Sequence, residues 1–87
     1  MPSVSDTITK ITGFRDLPVG WHYGKGGPIS PSFIAQALGI VRQAEALGFQ
    51  EMDAFPGAEG EVRVTIYQGD EYYEFTIEAN GMISFVY

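Results

Sequence analysis

Along the 87-residue chain the apolar positions change period. Val4, Ile8 and Ile11 fall at i, i+4 and i+7, with Ser5 or Asp6 in place to cap and Gly13 to stop. That spacing predicts a short N-terminal helix, while Thr7, Thr9 and Thr12 would suit a strand equally well. A fuller stripe follows, through Ile34, Ala37, Leu38, Val41 and Ala44, widened by Phe33, Ile40 and Leu47. Ser30 can cap its first free N–H groups, and Pro31 fits the first helical position, where a missing N–H costs nothing. With Gly48 as the stop, the pattern predicts a helix over 31–47. Gly39 lies inside it at a cost of about 1 kcal/mol relative to alanine, which predicts either a close neighbour or simple tolerance.

Beyond Gly48 the period drops to two, and 51–87 reads as a β-meander. The strands are expected at 51–55, 61–67, 71–78 and 82–87. Matching of apolar faces sets the register, because a one-residue slip would turn a whole apolar set into water. Pairing Ile66 with Tyr73 and Val64 with Phe75 leaves Gly69-Asp70 as a two-residue loop, with glycine first as a type II′ turn requires. In the last hairpin a two-residue Asn80-Gly81 turn would set Ile77 against Ser84. A three-residue loop, Ala79-Asn80-Gly81, sets Ile77 against Ile83 and Phe75 against Phe85, with Gly81 in the left-handed position. The second register is preferred. The expected fold class is α+β: one long helix packed on an antiparallel meander of about four strands.

This length predicts a single domain over 1–87, with disorder at 1–4 and a Gly/Pro-rich connector over 13–29. With no cysteine, neither a disulfide nor a thiolate metal site can supplement the core. The beginning of the sequence has no basic n-region and no apolar run, so a soluble, cytoplasmic protein is expected.

Charge divides the chain. Residues 1–50 carry four basic against three acidic side chains, net +1, whereas 51–87 carry one against eight, net −7. Direct nucleic-acid binding and an anionic membrane are disfavoured partners for such a meander. A basic protein surface is its electrostatic complement, and an acidic face that serves only solubility is the alternative.

Gly20–Ser30, GWHYGKGGPIS, is the stretch nearest to a chemical motif. It fails as a phosphate loop: only three residues separate Gly20 from Gly24, Lys25 is followed by glycine, and no strand precedes it. Trp21, His22, Lys25 and Ser30 remain candidates for an anion- or ligand-holding loop, or for a minor enzyme with His22 as acid–base. The structural alternative is a connector in which Trp21 and Tyr23 seal one end of the core. A single histidine and no cysteine argue for no metal, and no cofactor motif is present.

The polar face of the meander carries the other candidates. In the preferred register Tyr67 faces Tyr72, Thr65 faces Glu74, Arg63 faces Thr76 and Glu61 faces Glu78. Like charges directly opposite destabilise a strand pair, and such breaches of local rules concentrate at functional sites. Glu61, Tyr67, Tyr72, Glu74 and Glu78 are therefore the expected partner-binding residues, as aromatic anchors with an electrostatic rim. A solvated face with tyrosines present for β-propensity is the competing account.

From Leu17 onward, LPVGWHYGKGGPIS, FPGAEGEV and EFTIEANGMISF resemble a loose group of small bacterial and phage proteins. These run Leu-Pro-x-x-Trp, a glycine-containing loop, Pro-Ile-Ser, a helix and a β-meander. The resemblance implies the helix-on-meander fold and assigns no activity or catalytic residue. In size and charge alone the chain is also similar to phage-encoded inhibitors of host defence, including anti-CRISPR proteins. The expected function is thus a non-enzymatic, acidic protein-binding module that docks on and blocks a basic, nucleic-acid-handling partner. The alternatives are the ligand loop above, or a homodimer formed through the edge at 82–87 or at 51–55.

Overall fold

The computed structural model describes residues 3–87. In chain order it has α1 (Val4–Gly13), a 3-10 turn (Phe14–Asp16), α2 (Pro31–Ala46), and strands β1 (Glu51–Pro56), β2 (Val62–Gln68), β3 (Glu71–Ile77) and β4 (Ile83–Val86). The four strands form one antiparallel sheet in the order β1-β2-β3-β4. Both helices lie on one face of it, so the architecture is α+β as the periodicity predicts.

Of the two forms open to the N-terminal segment, the helix is the one adopted. Its cap is Ser3, whose hydroxyl accepts from the Asp6 N–H at 3.1 Å, rather than Ser5 or Asp6. Asp6 in the first turn and Lys10 in the last suit the helix dipole. Of the segment expected to be disordered, residues 1 and 2 lie outside the described residues. Ser3 and Val4 are the cap and first residue of α1, and Ser3 also bridges to Glu51. Gly13 does not stop the helix in a left-handed conformation; its φ of −70° lets the chain run on into the 3-10 turn.

The connector is not wholly irregular either. Phe14 and Ile29, near its two ends, are buried in the core and joined by the Ile29 N–H to Phe14 carbonyl bond at 3.1 Å. That bond brings the start of α2 back beside the end of α1.

Pro31 occupies the first turn of α2, but Ser30 makes no side-chain cap. Its hydroxyl instead lies 3.0 Å from that of Ser32, and its carbonyl receives the Phe33 and Ile34 N–H groups. The other end closes as a Schellman motif: the Phe49 N–H returns to Ala44 and the Gly48 N–H to Glu45. Gly48, at φ 99°, supplies the left-handed residue this motif needs. A Cβ on Gly39 would meet nothing within 4 Å, so tolerance, not a close neighbour, explains that glycine.

Both hairpins take the preferred registers. Ile66 pairs with Tyr73 and Val64 with Phe75 across a turn in which Gly69 has φ 60°. Ile77 pairs with Ile83 and Phe75 with Phe85, with Gly81 at φ 88°.

The core lies between α2 and the inner face of β1–β3: Ile34, Ala37, Val41 and Ala44 against Met52, Ala54, Val62, Val64, Ile66 and Ile77. Because α1 packs on β1 and alongside α2, the helical layer is displaced toward β1. α2 therefore sits over β2 and touches β3 only lightly, and every residue of β4 stays exposed. Leu47, predicted to widen the buried stripe, is 78% exposed for the same reason.

Candidate functional site

The glycine-rich stretch folds into a miniature hairpin of its own. His22 and Lys25 exchange both backbone hydrogen bonds, at 2.8 and 2.9 Å, and Gly20 donates to Gly26. Tyr23 (φ 52°) and Gly24 (φ 86°) make the turn; two positive φ values in succession are those of a type I′ turn. Trp21 donates its indole N–H to the Gly27 carbonyl at 3.1 Å, and its ring lies where a Cβ on Gly26 would stand, 2.6 Å from the indole nitrogen. Trp21 thus closes this loop and not the core. Tyr23 does not seal the core either, since it projects from the tip 96% exposed.

Of the loop candidates, His22 and Lys25 are exposed, with the His22 ring edge-on between those of Trp21 and Tyr23. Ser30 is occupied with Ser32. Among the described residues no carboxylate is hydrogen-bonded or ion-paired to His22 or Lys25.

On the outer face of the sheet three rows cross the strands. They are Glu51–Tyr67–Tyr72, then Asp53–Thr65–Glu74–Val86, then Phe55–Arg63–Thr76–Ser84. The middle row explains the relief. Thr65 is a short side chain surrounded by long ones, and it is only 6% exposed although it faces outward. It forms the floor of a depression of about 260 Å³ walled by Phe55, Arg63, Tyr67, Tyr72 and Glu74.

The charges of this face are partly matched internally. Arg63 lies 3.2 Å from Glu74, and Lys10 of α1 reaches round the β1 edge to Asp53 at 3.0 Å. The Lys10 ammonium also stands 4.2 Å from the centre of the Phe55 ring, so a cation–aromatic contact is already built into the rim. Glu51, beside Tyr67 and Tyr72, has no ion-pair partner among the described residues.

Of the residues singled out in the sequence, the structure brings Tyr67, Tyr72 and Glu74 together at this depression. It does not bring Glu61 and Glu78 there. Glu61 precedes β2 and folds back over Gly57 to accept the Glu59 N–H at 3.0 Å, so the expected clash with Glu78 does not arise. Glu78 accepts from the Ser84 hydroxyl at 2.9 Å beside the last turn. Sequence reasoning missed Phe55, Thr65 and Glu51. Their parity was visible: in EMDAF the buried Met52 and Ala54 leave Glu51, Asp53 and Phe55 to the opposite face.

The inner face has a second feature, an apolar groove of about 380 Å³ between α2 and the uncovered strands. Ile40, Leu47 and Phe49 line one side, and Tyr73, Phe75 and Phe85 the other. Tyr73 stacks on Phe85 and on Tyr87, whose hydroxyl donates to Glu71. That hydrogen bond, and the carboxylate charge behind it, raise the Tyr87 phenol above its ordinary value. Among the described residues no helix is long and apolar enough to cross a membrane. Comparison with protein-family models, with curated proteins and with solved structures finds no match for this chain.

Proposed function

We propose that this chain is a non-enzymatic protein-binding module whose outer sheet face receives a basic side chain of a partner protein. The observation that carries the reading is the Thr65-floored depression. Its size suits the end of a lysine or arginine side chain, and three of its walls are aromatic. A cation held against aromatic rings gains about 0.5–2 kcal/mol, more as water is excluded. Glu51, next to Tyr67, adds a negative charge with no ion-pair partner among the described residues, within a half-chain of net charge −7. A nucleic-acid-handling protein is the partner class this chemistry fits best, because such proteins present clustered lysine and arginine. Occupying that basic surface would block it with no catalytic group.

Arg63 gives the reading a distinctive test, because it already holds Glu74 and so competes with an incoming cation. Binding of a lysine- and arginine-rich peptide by wild type should weaken as salt rises. Tyr72→Ala should bind it less well, and Arg63→Ala, which frees Glu74, should bind it better at low salt. His22→Ala should leave binding unchanged. If Tyr72→Ala binds as wild type does, or if His22→Ala alone abolishes binding, this face is not the site.

A further inference from the structure

The two edges of the sheet are treated differently. The β1 edge is covered: the Ser3 backbone bridges to Glu51, and the Thr7 hydroxyl takes the Met52 carbonyl. Edge strands left open are normally blunted by charge, proline or a bulge, because their free N–H and C=O groups pair with any available strand. β4 has none of these. Ile83–Val86 contains no charged residue and no proline, and its pairing with β3 is regular throughout.

The direction of its free groups follows from the last turn. Glu78 donates to the Met82 carbonyl at 2.7 Å, which makes that pair a hydrogen-bonded one. By the alternation of an antiparallel ladder, Thr76/Ser84 and Glu74/Val86 are bonded pairs, while Ile77/Ile83 and Phe75/Phe85 are not. The backbone groups of Ile83 and Phe85 therefore point away from β3, toward solvent.

We infer that β4 pairs with β4 of a second copy of this chain, antiparallel and centred on Phe85, joining two sheets into one of eight strands. The strand is complementary to itself in that register. Phe85 meets Phe85, Ile83 meets Tyr87 and Ser84 meets Val86, so that no charge faces a charge. Glu74 is separated from the second copy's β3 by three strand spacings, roughly 14 Å, beyond the screening length of about 8 Å. Glu78 and Glu71 lie nearer the seam, each held by a hydroxyl of its own chain, Ser84 and Tyr87. The net charge of −6 on each copy opposes this contact, so association should tighten as salt screens it.

The exposed area is of the right order. Phe85 and Tyr87 are 54% and 69% exposed, and Ile83 and Val86 are exposed to a similar degree. At about 150–250 Å² per aromatic side chain, β4 with the groove rim offers several hundred Å² per copy, approaching the roughly 800 Å² of a standard interface. Pairing would also close the groove on its open side. A twofold axis normal to the sheet leaves both outer-face depressions on the same side, so the dimer would present two docking sites at once. The pairing does not depend on what those depressions bind.

Sedimentation of the full chain up to about 100 μM should give twice the monomer mass, and Phe85→Glu should weaken association at least about tenfold. Register is tested by cross-linking, since the chain has no cysteine of its own. Phe85→Cys should form an intermolecular disulfide on oxidation, because the twofold sets the two Cα atoms about 5.5 Å apart, within disulfide range. Ser84→Cys, whose counterpart is Val86, should not. A monomeric wild type, a Phe85→Glu protein that remains dimeric, or Ser84→Cys cross-linking as well as Phe85→Cys would each overturn the inference.

Discussion

The Thr7 hydroxyl donates to the Met52 carbonyl at 2.7 Å, joining α1 to the β1 edge across 45 residues of chain. Both residues are fully buried. The same hydroxyl lies 2.9 Å from the Ser3 carbonyl, so threonine here serves the helix and the sheet edge together. Among the described residues no buried side-chain polar atom lacks a partner, and this bond is one reason. Thr7→Val keeps the shape and removes the donor, leaving the Met52 carbonyl without it. A buried polar group left unsatisfied costs about 1–3 kcal/mol. Urea unfolding of Thr7→Val should show a loss of that size with little change in slope. An unchanged midpoint would mean that water replaces the hydroxyl.

Gly39→Ala should act in the opposite direction. The position is exposed, its backbone is helical, and an added Cβ would have open space around it. Alanine should then recover about 0.5–1 kcal/mol of helix propensity. A higher urea midpoint is the expected result. Destabilisation would reveal that something approaches this face of α2 in solution.

The β2–β3 and β3–β4 hairpins were legible in the sequence because each has only one register that keeps its apolar set on one face. Ile77 opposite Ile83 follows from that requirement alone. The position of α1 was not legible. Its own periodicity shows that it is amphipathic, but not that it would sit on β1 and displace the helical layer. Leu47 and Phe85 look like core residues for that reason, and both are left uncovered. The outer-face site was half legible: the Tyr67–Tyr72 pair follows from the register, whereas Phe55 and Glu51 needed the parity of a short first strand. Glu61 misled because its place in an alternating run implied a strand, and a turn captured it instead.

Tyr23 holds a conformation that only glycine adopts freely. At φ 52° a bulky residue is in the left-handed region, at a cost of about 1–2 kcal/mol. Asparagine is the favoured residue before glycine in a type I′ turn. Tyr23→Asn should therefore stabilise the hairpin, seen as slower amide exchange at His22 and Lys25, whose N–H groups close it. The tip is almost wholly exposed, so little packing is lost. Faster exchange in the variant would show that the edge-on contact between the His22 and Tyr23 rings outweighs the strain.

Tyr87 offers a pH-dependent readout of the β4 end. Its hydroxyl donates to Glu71, and the bond exists only while the phenol is protonated. The hydrogen bond comes first and the charge of Glu71 second in raising its pKa above the ordinary 10.0. For an acid whose folded pKa is raised, the stabilising bond is fully present below the unfolded value. It is lost as pH rises through the folded one. Alkaline titration followed by phenolate absorbance should thus show a late phase above the ordinary value. Tyr87→Phe should delete that late phase, and Glu71→Gln should move it back toward the ordinary range, because both the charge and the best acceptor are gone. If the late phase survives Tyr87→Phe, it belongs to another tyrosine. If Glu71→Gln leaves it in place, the carboxylate is not its cause.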